Sequence, residues 1–331
     1  MATYKAEFLS HYYEGRRRPV AAYSMGLIYW WARLAARMPG VVNFATQTPP
    51  LSALAKALGG IAPDRQIPAF APQTFTDWFR ARGPRNEGKP AIILWPDTFN
   101  NHFHPETAHA AVEVLEAAGY HVTIPERSLC CGRPLYDWGM LDRAEELLRQ
   151  TLDTLRPQIA AGIPVVGLEP SCVAVFRDEL LGLFPDDVDA KRLSKQTFLL
   201  SEFLVKEGYT PPTLHRKAVV HRHCHHKAIM TMAAEEKILD GLGLEYDVLA
   251  SGCCGMAGAF GFERGDHYDV SIKAGERVLL PAVRNAAPET LIVADGFSCR
   301  EQIAQTTATH CTSRSCFKWR CMRNRKRSIP T

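Results

Sequence analysis

The chain has 331 residues, 46% hydrophobic and 22% charged, which is the balance of a folded globular protein and excludes a disordered or fibrous one. Its formal net charge of +4 comes from the end of the chain, because the seven basic residues from Arg314 to Arg327 follow the last acid, Glu301, and leave the rest at −3. A mildly acidic body offers no nucleic-acid footprint outside that tail. Ten cysteines in a long chain whose N-terminus, MATYKAEFLSHYYEG, is polar point to metal or redox chemistry in a reducing cytoplasm, not to a disulfide framework.

Residues 1–88 read as helices interrupted by Pro39, Pro49, Pro50, Pro63, Pro68 and Pro72. The most apolar stretch, Val20 to Ala36, follows Arg16, Arg17 and Arg18 and is broken by Arg33. It falls short of the roughly 20 apolar residues that a bilayer span needs. A helix packed on the main body is the first reading, and an interfacial or partner-docking helix the second.

From Lys89 short apolar runs alternate with amphipathic helices, the pattern of a parallel α/β sheet with right-handed crossovers. AIILW, HVTI and IPVVGLEP read as strands, with helices over Pro105–Ala118 and Leu141–Leu155. The order then repeats. KAVVH, EYDVL and TLIVAD are strands, and helices are expected over Lys227–Leu242, Tyr268–Asn285 and from Ser298. The expected fold is therefore α/β, with two duplicated Rossmann-like parallel-sheet lobes (89–215 and 216–305) after a helical segment, and a basic unstructured tail over 306–331. That tail carries Cys311, Cys316 and Cys321 at a spacing that fits no common metal motif.

Each half places its cysteines after its strands, where open α/β sheets bind ligands. The second half reads C-x28-CC-x44-C through Cys224, Cys253, Cys254 and Cys299, and the first reads T-x31-CC-x40-C through Thr98, Cys130, Cys131 and Cys172. Four thiols that converge can hold iron and sulfide, provided they are deprotonated and shielded from water. A CC pair followed by glycine requires a turn, and Gly252 and Gly255 supply backbone amides close to the sulfurs to stabilise their charge. Zinc on thiolates is the rival, with His221, His223, His225 and His226 crowding Cys224. Thiol–disulfide chemistry at the CC pairs is a third reading. The first site, Cys130, Cys131 and Cys172, lacks a fourth thiol. Asp97, Asn100, Asn101, His102 and His104 lie near the missing position, so a histidine-completed or zinc site is one reading, and a degenerate site that shapes the cleft is the first. Glu169 and Asp295, equivalent acids before each last cysteine, read as helix caps or loop anchors.

SLCCGRP, LEPSC, HRHCHHK, SGCCGMAG and DGFSCREQ resemble the cysteine-rich CCG repeat domain found in heterodisulfide reductase, in the glycolate oxidase iron–sulfur subunit and in lactate-utilisation iron–sulfur proteins. LWPDTFNN, LCCGRPLYDWG, VGLEPSCVAVFRDEL and GCCGMAGAFGFE resemble the C-terminal part of fused FAD- and iron–sulfur-binding oxidoreductases of the D-lactate dehydrogenase (cytochrome) type. The resemblance implies an electron-transfer module working with a flavin-binding domain or subunit and a ferredoxin-like iron–sulfur segment. Electrons from a 2-hydroxy acid would leave for a quinone or cytochrome, in the cytoplasm or at the inner face of the membrane. The chain then looks like the C-terminal piece of a longer oxidoreductase. Gly296 stands where the fullest family pattern has a further cysteine, which favours a 4Fe-4S cluster on Cys224, Cys253, Cys254 and Cys299 over a five-cysteine cluster.

Overall fold

The structure is a computed structural model that describes residues 2–306. Two parallel sheets organise it. In the first, β1 (Ala91–Leu94), β2 (His121–Thr123), β3 (Val165–Gly167) and β4 (Thr197–Leu199) lie in the order β2-β1-β3-β4. In the second, β5 (Lys217–His221), β6 (Glu245–Val248) and β7 (Leu291–Ala294) lie in the order β6-β5-β7. Within each half the first strand is thus central, the second on one side and the third on the other. That is the arrangement expected of a duplicated doubly wound unit, and the α/β class read from the sequence holds.

Register and burial explain the strands. Ile93 pairs with both Thr123 and Val165, and Val219 with both Asp247 and Ile292. Alternate residues of β1 face opposite sides: Ile92 and Leu94 enter a core with Leu115, Val166 and Phe203, while Ile93 and Trp95 enter another with Leu148, Leu155 and Phe176. Helices cover both faces of the sheet, so the strands read as continuous apolar runs.

Several elements differ from the expectation. The Val20–Ala36 stretch forms two helices, Val20–Ser24 and Ile28–Ala35. The first reading holds on one face, since Ala21, Ala22, Tyr29, Ala32 and Ala35 are buried. The expected Lys227–Leu242 helix is likewise two, Cys224–Ile229 and Ala233–Gly241, because Met230 turns to extended backbone with ψ 163°. Tyr268–Asn285 divides into Asp266–Glu276 and Leu279–Asn285 at Val278. The tail with Cys311, Cys316 and Cys321 lies outside the described residues.

The two halves meet through the helix Phe297–Thr306, which carries Cys299. Its Phe297 ring stacks on Phe99 of the first half at 4.4 Å. The buried Arg300 guanidinium donates to Asn100 Oδ1 at 2.9 Å and Thr107 Oγ1 at 3.1 Å. Among the described residues no helix is long and apolar enough to cross a membrane.

Candidate metal centre

Three loops at the carboxyl ends of β5, β6 and β7 bring Cys224, Cys253, Cys254 and Cys299 together. Their side chains form an unbroken series of contacts, from Cys224 to Cys253, to Cys254, to Cys299. Cys254 and Cys299 are buried and the other two half-buried. All seven described cysteines are free of disulfides, and the CC pairs are not vicinal disulfides.

The loop geometry follows from its glycines, though unequally. Gly255 has φ +98°, and a Cβ there would lie 2.0 Å from the Ser271 carbonyl oxygen, so only glycine fits. Its amide donates to Cys253 Sγ at 3.3 Å, the backbone support anticipated for a charged sulfur. Gly252 faces open space, and its carbonyl accepts from Lys227 Nζ at 3.0 Å; nothing in its surroundings demands glycine.

The sulfurs share protons unequally. Hydrogen bonds from the Cys224 and Cys254 thiols, with help from the Gly255 and Ala257 amides, pull Cys253 down to about 2. Cys299 is held well below the ordinary thiol range by its Cys254 hydrogen bond and by the neighbouring His221 and His223 rings, despite burial. Cys224 and Cys254 are pushed up because each sits against a neighbouring sulfur that takes the charge, and burial adds to this.

The histidines divide by role. His221 Nδ1 is hydrogen-bonded to Ser251 Oγ at 2.8 Å, which leaves the buried Nε2 without a hydrogen-bond partner. One ring nitrogen of His221 and the sulfurs of Cys254 and Cys299 lie within 4.8 Å of one another. His223 caps the Cys224–Ile229 helix by accepting from the His225 amide at 3.3 Å. Burial drives His225 down to about 3, and the His226 ring approaches Asp295 at 3.7 Å. Four neighbouring sulfurs, with Cys253 and Cys299 favoured as thiolates, beside the buried His221 Nε2 fit a thiolate-held metal centre. At Gly296 a Cβ would lie 2.2 Å from His223 Cδ2, so a side chain there requires the His223 ring to move.

The first half repeats the pairing with one change. Thr98 Oγ1 donates to Cys130 Sγ at 3.8 Å, where the second half sets Cys224 against Cys253. Cys131 and Cys172 have sulfurs 3.0 Å apart, matching Cys254 and Cys299. All three thiols are pushed up. For Cys130 the causes are its Cys131 neighbour and burial. For Cys131 the Cys130 contact favours the thiolate, but Cys172 and burial outweigh it. Cys172, favoured by its Cys131 hydrogen bond, is overridden by burial and by the Asp97 and Glu169 carboxyls and reaches about 11. His102 and His104 do not complete this site: His102 pairs with Asn101 at 3.2 Å, and His104 with Glu106 at 3.4 Å and Glu301 at 3.1 Å.

The sequence alone did not reveal the chamber that these elements enclose. A cavity of about 460 Å³ is bounded on one side by the four second-half cysteines and on another by Phe70, Phe99, Phe103 and Phe297. Arg133, ion-paired to Glu179 and at 3.0 Å to Asp137, supplies a buried positive charge at its wall. Glu169 also reaches it, and this residue caps two helices: its own, through the Ser171 amide at 3.4 Å, and the Cys299 helix, through the Phe297 amide at 2.8 Å. The first of these roles was expected. The second joins residues 128 apart and has no local sequence signal. Asp295, read as the equivalent acid, stands two residues before the Phe297–Thr306 helix and lies 3.7 Å from the His226 ring.

A family profile described as a cysteine-rich (CCG) domain matches residues 98–177, the span from Thr98 to just past Cys172. The chain is 31% identical over 281 residues to one of the subunits of anaerobic glycerol-3-phosphate dehydrogenase of Escherichia coli (strain K12), covering 82% of this chain and 69% of that protein. It is 32% identical over 169 residues to lactate utilization protein A of Bacillus subtilis (strain 168), covering 48% of this chain and 69% of that one. Similarity to D-2-hydroxyglutarate dehydrogenase of Pantoea ananatis, 23% identical over 317 residues, takes in 91% of this chain but 30% of that protein. With its paired CC loops, its duplicated sheets and these relatives, the chain belongs to the CCG cysteine-rich domain family.

Proposed function

We propose that this chain is the iron–sulfur electron-transfer module of a flavin-linked 2-hydroxy-acid oxidoreductase of the D-lactate or glycolate type. The observation that carries the reading is the contiguous group of Cys224, Cys253, Cys254 and Cys299 at the ends of β5, β6 and β7. These four residues would hold a 4Fe-4S cluster, which supplies one-electron transfer when bound. The chain's own contribution is to orient and shield it: the Gly255 amide and His221 stabilise sulfur charge, and the apolar layer under Cys254 and Cys299 keeps water out. In this reading the lobe over 89–215 is a degenerate copy that shapes the chamber, and the lobe over 216–305 is the working one.

The relatives support the setting. Two carry names of hydroxy-acid metabolism, lactate utilization and 2-hydroxyglutarate dehydrogenation, and a third is named as one part of a dehydrogenase with several subunits. Substrate oxidation at FAD accordingly belongs to a partner domain or subunit, with a ferredoxin-like segment as intermediate carrier. The aromatic chamber beside the cysteines supports a quinone over a cytochrome as acceptor, because it offers an apolar room to a small planar molecule.

Anaerobic reconstitution with iron and sulfide tests the assignment. About four irons per chain with a broad visible charge-transfer band are expected. The proximity of His221 to Cys254 and Cys299 favours one alternative, a zinc-stabilised scaffold without redox activity. A colourless protein with about one zinc would establish that instead.

A further inference from the structure

Arg65 is fully buried, and a guanidinium rarely enters a protein core without an anion beside it. Its Nε donates to the Gly261 carbonyl at 2.7 Å and its Nη2 to Ser271 Oγ at 2.9 Å, while Nη1 has no hydrogen-bond partner. The guanidinium lies over the Tyr268 ring at 5.0 Å and the Phe262 ring at 5.8 Å. Among the described residues no carboxylate is ion-paired to it. Glu301, which acts on it through space, is engaged with His104 at 3.1 Å and Gln305 at 2.9 Å.

The groups that hold Arg65 also frame the second CC pair. The Ser271 carbonyl packs against Gly255, the residue after Cys254. Gln302, three residues beyond Cys299, donates to the Ser271 carbonyl at 3.1 Å and to its hydroxyl at 3.3 Å. Phe262 packs in the same apolar layer as Cys254 and Cys299. The arginine comes from outside the duplicated lobes, and its own segment is fastened to the loop by the Ala62 amide on the Phe262 carbonyl at 2.8 Å and the Arg264 amide on the Gly60 carbonyl at 3.1 Å. Two other cations stand near the cysteines, and neither is equivalent. Arg133 is neutralised by Glu179 and Asp137, and Lys227 is exposed to water, which screens it.

We propose that Arg65 sets the reduction potential of the centre on Cys224, Cys253, Cys254 and Cys299, by fixing a buried positive charge against the loop that carries Cys253 and Cys254. The inference rests on the iron–sulfur reading of those four residues. A cluster on four thiolates is net anionic, and each reduction adds a further negative charge. A fixed cation in a surrounding of low dielectric favours the reduced form over the oxidised one and raises the potential. Arg65 donates its hydrogen bonds to Gly261 and Ser271 and to no sulfur, so the effect is carried by charge.

The test is a redox titration of the full chain after anaerobic reconstitution with iron and sulfide, followed by absorbance and electron paramagnetic resonance. Arg65→Met should lower the reduced-to-oxidised ratio at a fixed potential by at least about tenfold, a shift of about 59 mV for one electron, and Arg65→Lys should restore most of it. Tyr268→Glu leaves Arg65 and its hydrogen bonds in place and adds a carboxylate beside the guanidinium, in the first turn of the Asp266–Glu276 helix. It should shift the potential in the same direction, and Tyr268→Gln should not. This pair decides the matter where Arg65→Met fails to hold iron. Iron-loaded Arg65→Met at the parent's potential, Arg65→Lys as low as Arg65→Met, or an unshifted Tyr268→Glu would each overturn the proposal and leave Arg65 a structural tie. A parent chain that takes up no iron is a separate result, since it overturns the cluster reading and this inference with it.

Discussion

Glu169 Oε2 accepts the backbone amide of Phe297 at 2.8 Å, so a carboxylate from the first repeat caps the helix that carries Cys299 in the second. The equivalent acid in the second repeat, Asp295, stands just before that helix, with the His226 ring at 3.7 Å. The duplicated halves are therefore not independent lobes, because part of the support for the second site is built from the first.

Replacing Glu169 with alanine should leave the Phe297 amide unpaired in the core, at a cost of about 1.5–3 kcal/mol. Burial pushes the Glu169 carboxyl up, so its charge is itself costly there. Glu169→Gln keeps an acceptor and removes that cost, and should unfold within about 1 kcal/mol of the parent. Urea unfolding of the two variants separates the effects. Equal losses in both would show that the charge, not the hydrogen bond, holds the helix.

Gly255 and Gly252 flank the same cysteine pair but should answer differently to alanine. At Gly255 the new Cβ meets the Ser271 carbonyl at 2.0 Å on a backbone with φ +98°. Strain and overpacking together should cost at least about 2 kcal/mol. Gly252→Ala enters open space and should stay within about 0.5 kcal/mol of the parent. Thermal unfolding of both proteins, without metal, is sufficient to check the contrast.

Much of this arrangement was legible in the chain. Alternating apolar runs located six of the seven strands among the described residues, and the cysteines marked their carboxyl ends. β4, at Thr197–Leu199, was missed because three residues at a sheet edge carry too little periodicity to register. The helix break at Met230 was also hidden, since the apolar spacing runs on through it while Met230 itself is buried. The Glu169 cap, the Arg300 contacts and the aromatic wall depend on residues far apart in the chain, and no local pattern encodes such pairs. His221 was noticed only as one of four crowded histidines. Its distinction, a ring held by Ser251 with Nε2 left over, is purely geometric.

The contact between His104 and Glu301 links the halves at 3.1 Å and provides a pH handle. Burial alone would lower His104, but hydrogen bonds to Glu106 and Glu301 outweigh it and raise the imidazole above its usual value of 6.5. A raised histidine stabilises the fold fully below its unfolded pKa, and that contribution is lost as pH climbs through the folded value. The difference in unfolding free energy between the parent and His104→Gln should therefore be larger at about pH 6 than at about pH 8. A difference that does not vary with pH would show that the imidazole stays neutral.

Thiol substitutions distinguish the two sites. Cys254→Ser should abolish the visible band and most of the bound iron, because Cys254 joins Cys253 to Cys299. Cys131→Ser alters a site with three thiols and should leave iron content unchanged. Iron analysis and absorbance after reconstitution check both, and iron loss from the Cys131 variant would move the centre to the first half.

The strongest prediction concerns the position at which the repeats diverge. Thr98 already directs its hydroxyl at Cys130, and Cys131 and Cys172 already meet at 3.0 Å, so one substitution, Thr98→Cys, completes a second set of four thiols with the pairing of the first. The obstacle is electrostatic: the Asp97 and Glu169 carboxyls help hold Cys172 at about 11, and a metal must displace those protons in order to bind. Thiolate–metal bonds are strong enough to do so, and the reconstituted variant should hold about twice the iron of the parent. Iron content equal to the parent's would locate the loss of the first site in its acidic surroundings. In that case Thr98→Cys combined with Glu169→Gln, which removes one of the two opposing carboxylates, should take up the additional iron.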